Sequence, residues 1–108
     1  MLHRMLPLSL LGLSVFALVA WAAGQNHVIT QKDKAFSATE LTVKPGDTIV
    51  FKNDDDVTHN VFSQTAGFEF NSKTQAPGAE ASVSFDKTGT VEVRCAIHPK
   101  MKAIVHVQ

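Results

Sequence analysis

Lys44-Pro45-Gly46-Asp47-Thr48-Ile49-Val50-Phe51-Lys52-Asn53 decides the fold class of this chain. Proline presets a turn and glycine tolerates positive φ, so the first four residues reverse the backbone. The next residues alternate, with Ile49 and Phe51 on one face and Thr48, Val50 and Lys52 on the other. Successive side chains of an extended chain face opposite ways, so this pattern predicts a half-buried strand. The same punctuation extends outward from it. Val28-Ile29 begins a strand and Glu40 to Val43 forms another. Asp54-Asp55-Asp56 breaks the central strand as a solvated turn, and His59 to Ser63 resumes extended structure. Phe68 and Phe70 alternate around Glu69, and Asn71 to Glu80 reads as a loop turned by Pro77-Gly78. Val83 and Phe85 alternate with serines, Asp86-Lys87-Thr88-Gly89 turns the chain, Val91 and Val93 alternate with Glu92 and Arg94, and Ala103 to Val107 closes it. No helical period of useful length competes. Seven to eight short strands bounded by turns predict an all-β sandwich. Its core is expected from Ile49, Phe51, Val83, Phe85, Val91, Val93 and Val105.

Composition narrows the function. A chain of 108 residues holds one domain, and 44% apolar with 19% charged residues is a globular balance. Ten basic residues offset ten acidic ones, so no strong field points to nucleic acid or to an anionic membrane. A single cysteine, Cys95, excludes an internal disulfide framework and any four-cysteine zinc or iron–sulfur site.

The N-terminus reads as an export signal. His3 and Arg4 precede an uncharged run from Leu8 to Trp21, and Ala20-Trp21-Ala22 offers the small residues that a signal peptidase reads. Cleavage after Ala22 divides the chain into a signal peptide, residues 1–22, and a domain, residues 23–108. The competing readings are a buried helix or a membrane anchor, and Leu8 to Ala23 is only sixteen residues, short of the ~20 that span a bilayer. Export sharpens the meaning of Cys95. In an oxidising compartment a lone thiol is buried and inert, paired with another chain, or held by a metal.

Its neighbours choose among these. Cys95-Ala96-Ile97-His98-Pro99-Lys100-Met101 places a thiolate, an imidazole and a thioether three residues apart, in the connection between the last two strands. Soft sulfur with imidazole favours copper, and His2Cys with a weak axial Met is the ligand set of blue-copper sites. His59, at the start of a strand after the acidic turn, is the best supplier of the second imidazole. His27 and His106 belong to no motif and read as surface or edge residues. A Cys95–His98 nucleophilic pair is the catalytic alternative, but the sequence offers no evident Asp or Asn to orient it, so no enzyme activity is expected.

With these residues in place, the chain resembles the cupredoxin (type 1 blue copper) family, most of all its small exported members of amicyanin, plastocyanin and pseudoazurin type. Val43 to Asn53 is similar to the family's V-x-x-G-D-T-[IV]-x-[FW]-x-N strand pair, and His59-Asn60-Val61 to its H-N-V. Phe85 through Gly89 to Cys95 is similar to its F-x-x-x-G-x-x-x-x-x-C approach, and the two-residue gap between His98 and Met101 matches amicyanin's short loop. The resemblance implies a Greek-key sandwich binding one type 1 copper through His59, Cys95, His98 and Met101. It implies an N–H of Asn60 bonded to the Cys95 sulfur, and an Asn53 side chain tying the ligand loop to the first-histidine loop. It also implies a periplasmic or otherwise exported, monomeric electron carrier whose redox partner proteins dock at the His98 end. No nucleic acid, small-molecule substrate or membrane association after cleavage is expected. The alternative role is delivery of copper to another exported protein. The chain departs from the family pattern at Thr58, where a proline is common, at Val93 and Arg94, where an aromatic is usual, at Lys100, and at Ala103, where a glycine is common.

Overall fold

Alternation becomes burial in the central strand. In the computed structural model, which describes Gly12 and residues 24–108, β4 (Asp47–Asn53) buries every second side chain along its whole length. The signal-peptide reading of residues 1–22 lies, Gly12 apart, outside the described residues. The turn before β4 has the expected form: Gly46 adopts φ 92° and the Asp47 N–H donates to the Lys44 carbonyl at 3.0 Å.

Around β4 the described chain is all strand and loop. In order come β1 (Asn26–Lys32), β2 (Ala35–Phe36), β3 (Glu40–Val43), β4, β5 (His59–Ser63), β6 (Phe70–Gln75), β7 (Glu80–Phe85), β8 (Gly89–Cys95) and β9 (Lys102–Val107). One sheet has the order β2-β1-β4-β7 and the other β3-β9-β8-β5-β6. β1 runs parallel to β4, and β3 parallel to β9, while the other neighbours are antiparallel. The result is the cupredoxin-type sandwich anticipated from the motifs.

Nine strands replace the expected seven to eight, and two differences account for this. β2 is a two-residue strand folded back on β1 through Asp33 and Lys34, both at positive φ. β6 lies where a loop was expected. Of its six residues only Gln75 is buried, so no apolar alternation betrays it. Pairing with β5 makes it a strand, with a register shift between Asn60 and Phe62 and a positive φ at Lys73.

The core follows the sequence closely. Ile49, Phe51, Phe85, Val91, Val93 and Val105 are buried between the sheets, joined by Ile29, Val43, Val61 and Val107. Burying each such side chain contributes about 1.5–3 kcal/mol, and these apolar contacts are made without any metal. Val83 is only half-buried, because β7 forms an edge of its sheet.

Candidate metal centre

Several connections meet at one end of the sandwich. They include the β1–β2 turn, residues 54–58 after β4, and residues 96–101 between β8 and β9, and the β6–β7 connection, residues 76–79, lies at the same end. β5 starts at this end with His59 and β8 finishes at it with Cys95, and Val61 pairs across to Cys95. The sheet therefore sets His59 and Cys95 side by side. The following loop turns back at once, the Met101 N–H donating to the His98 carbonyl at 2.9 Å, which returns His98 over the same spot.

Their donor atoms converge. Cys95 Sγ lies 3.7 Å from His59 Nδ1 and 3.8 Å from His98 Nδ1, and the two nitrogens are 3.2 Å apart. The point equidistant from all three lies about 2.1 Å from each, within the ~2.0–2.3 Å of first-row metal bonds to imidazole and thiolate. Among the described residues this is the one cluster of three such side chains able to hold a metal ion. Two nitrogens and a soft thiolate suit copper. His59 and Cys95 are fully buried, His98 is half-buried, and Met101 is buried at the foot of the same loop, in the core cluster with Cys95.

Outer contacts hold these ligand candidates in place. The Asn60 N–H points to Cys95 Sγ at 3.4 Å, as the resemblance implied. Asn53 behaves differently from expectation. Its Nδ2 donates to the carbonyls of Val57 and Gln75, at 2.9 and 3.0 Å, and its Oδ1 accepts the Asp55 N–H. It thus ties the first-histidine loop to β4 and β6, and these three bonds occupy the side chain in place of a tie to residues 96–101.

Asp55 is the functional residue that sequence reading missed. The sequence pattern predicts a solvated turn for the acidic triplet, and Asp54 and Asp56 are exposed. Asp55 instead turns inward, with its side chain 7% exposed, and its Oδ2 lies 2.9 Å from His59 Nε2. The Lys34 N–H donates to the same oxygen at 2.9 Å. That backbone donor first, and the His59 ring second, hold the Asp55 carboxyl far below the usual carboxylate range. With Nε2 engaged by the carboxylate, Nδ1 is left for the cluster. The i,i+4 spacing of Asp55 and His59 was the available signal, but three adjacent aspartates gave no reason to choose the middle one.

Two further histidines among the described residues also have carboxylate partners that no motif announced. His27 pairs with Asp47, and His106 with Glu40, both remaining partly exposed. On the surface beside His98, exposed Ile97 and Pro99 line an apolar notch rimmed by Lys34 and Lys100.

Fold and cluster together define a small copper protein, and comparison with known proteins agrees. Residues 23–108 match the family of copper binding proteins described as plastocyanin/azurin, and the chain belongs to that family. Copper is its cofactor, as a single type 1 ion. The methylamine utilization protein MauL of Methylophilus methylotrophus is 31% identical over 81 residues, which cover 72% of this chain and 47% of that protein. The chain thus spans about half the length of that curated relative. A proline-to-glycine variant of amicyanin, solved in its reduced Cu(I) form at pH 4, superposes with a TM-score of 0.71 at 28% identity, covering 77% of this chain and 82% of that one. A purple cupredoxin from Nitrosopumilus maritimus shares the fold, with a TM-score of 0.68 at 24% identity over 76% of this chain and 99% of its own.

Proposed function

We propose that His59, Cys95 and His98, with Met101 from the same loop, hold the copper ion, and that the protein carries single electrons between exported redox partners. The convergence of three ligand atoms within 3.2–3.8 Å at one end of a closed sandwich carries this reading. Bound there, copper supplies a one-electron couple between Cu(I) and Cu(II). The chain supplies rigidity. Two strands fix His59 and Cys95, Asp55 orients the His59 ring, and the Asn60 N–H stabilises negative charge on the sulfur. Ligands held this way move little when the charge changes, which favours fast transfer.

Of the ligands in this reading, His98 is the one that reaches solvent, so the electron passes through its end of the molecule. Lys34 and Lys100 beside the Ile97–Pro99 notch fit an acidic partner surface. No substrate-transforming step is required, and we read the protein as a carrier rather than an enzyme. We further propose that residues 1–22 are a cleaved export signal. Protein recovered from the periplasm should begin between Ala23 and Gln25, and intact Met1 in the membrane fraction would make the segment an anchor. The role itself is tested by voltammetry of the copper-loaded protein. A reversible couple with copper retained in both states supports electron carriage, and release of copper on reduction points instead to copper delivery.

A further inference from the structure

The residue before Cys95 is Arg94, in a position where the family pattern has an aromatic near the cysteine. Cys95 faces inward and Arg94 outward, so the guanidinium lies on the sheet's outer surface, opposite Phe62 of β5. From there it reaches along the chain to the loop. Nη2 donates to the Pro99 carbonyl at 2.9 Å, while Nη1 donates to Glu92 Oε1 at 3.0 Å. Glu92 is in turn fixed, its own N–H donating to Thr65 Oγ1 at 3.0 Å. Thr65, Glu92, Arg94 and Pro99 line one groove of about 620 Å³.

Within residues 96–100 the structure finds two carbonyls accepting hydrogen bonds. His98 receives the Met101 N–H, a bond internal to the loop, and Pro99 receives Arg94. The second is the bond that ties the backbone of this part of the loop to the sheet, beside the contacts that the His98 ring makes with Cys95 and His59. The segment it ties carries both His98 and Met101. A planar guanidinium suits the task, because its fork grips a carboxylate with one arm and a carbonyl with the other.

We propose that Arg94 is a positioning residue for the copper loop, a strap that fixes the His98–Met101 segment on β8. The proposal rests on the copper reading above, and its test separates the two. Arg94→Met keeps an unbranched apolar stem and removes the donors at a partly exposed site, where the fold should tolerate it. In the Cu(I)-loaded protein, amide exchange at Met101 and its loop neighbours should rise about fivefold, the factor expected for one modest hydrogen bond. Copper release to a chelator should quicken by a similar factor, while the colour of the Cu(II) form persists. Arg94→Lys, with one donor still able to reach Pro99, should recover part of both losses. Three results would overturn the strap: unchanged exchange and release in Arg94→Met, faster exchange spread evenly over β8 and β9, or an Arg94→Lys variant no better than Arg94→Met. A parent protein that fails to take up copper at all would instead defeat the copper reading.

Discussion

Two carboxylate–histidine pairs stand at opposite ends of the central strand. Asp47 begins β4 and holds His27, and Asp55 follows its end and holds His59, each through Oδ2 and Nε2 at 2.9 Å. Both carboxylates also accept backbone N–H groups, and both are driven below the ordinary carboxylate range. The pairs differ in what surrounds the ring. His27 lies near the start of β1 with 22% of its side chain exposed and outside any ligand cluster, whereas the fully buried His59 turns Nδ1 toward Cys95 and His98. A histidine held by a carboxylate is thus a structural unit used twice. The neighbours of the second ring nitrogen leave one pair a fastening for β1 and bring the other into the candidate metal cluster.

Substitutions at the two ends should separate these roles. The largest contrast lies in the rings themselves. His59→Ala should weaken copper binding by more than about a hundredfold, beyond the ~10–100-fold typical of losing an outer contact, and His27→Ala should leave it unchanged. Competition titration with a copper chelator checks both. Next come the carboxylates. Asp55→Asn should cost about tenfold in copper affinity, whereas Asp47→Asn should preserve affinity and lower the midpoint of denaturant unfolding.

Acid sharpens the comparison further. The Lys44 N–H above all, then His27 and the Gln25 N–H, pull the Asp47 pKa from 3.8 to about 2. A depressed folded value means that the unfolded chain binds the proton more readily, so the contribution of Asp47 is complete above about pH 4. It fades as pH falls toward 2. Stability of the parent should drop across that window, and Asp47→Asn should flatten the drop. Equal slopes in urea unfolding series at each pH would contradict the fastening role. The smallest effect belongs to the surface. Lys100→Glu should slow electron exchange with an acidic partner by about threefold to tenfold at low salt, without altering the copper spectrum. The difference should vanish as added salt shortens the Debye length from about 10 Å to about 3 Å.

The sequence was legible where burial and alternation coincide. β4, β8 and β9 announced themselves because two packed sheets demand apolar residues at every second position. β6 did not, since an edge strand with five of six side chains at least partly exposed carries no such signal. Within the candidate cluster, Cys95 and His98 stood out because they are neighbours in sequence as well as in space, whereas His59 came from the resemblance of His59-Asn60-Val61 to the family's H-N-V. Asp55, Asn53 and Arg94 act across turns whose path only the fold reveals, and nothing in their own spacing distinguishes a buried aspartate from its two exposed neighbours.

The proposed function stands on one copper ion held by Cys95 between His59 and His98. Addition of one equivalent of Cu(II) to the purified protein, followed by visible spectroscopy, tests it most directly. An intense thiolate-to-copper band is expected, saturating at one equivalent and absent from Cys95→Ala, because the chain has no other thiol. A parent protein without that band, or a Cys95→Ala variant that keeps it, would overturn the copper assignment.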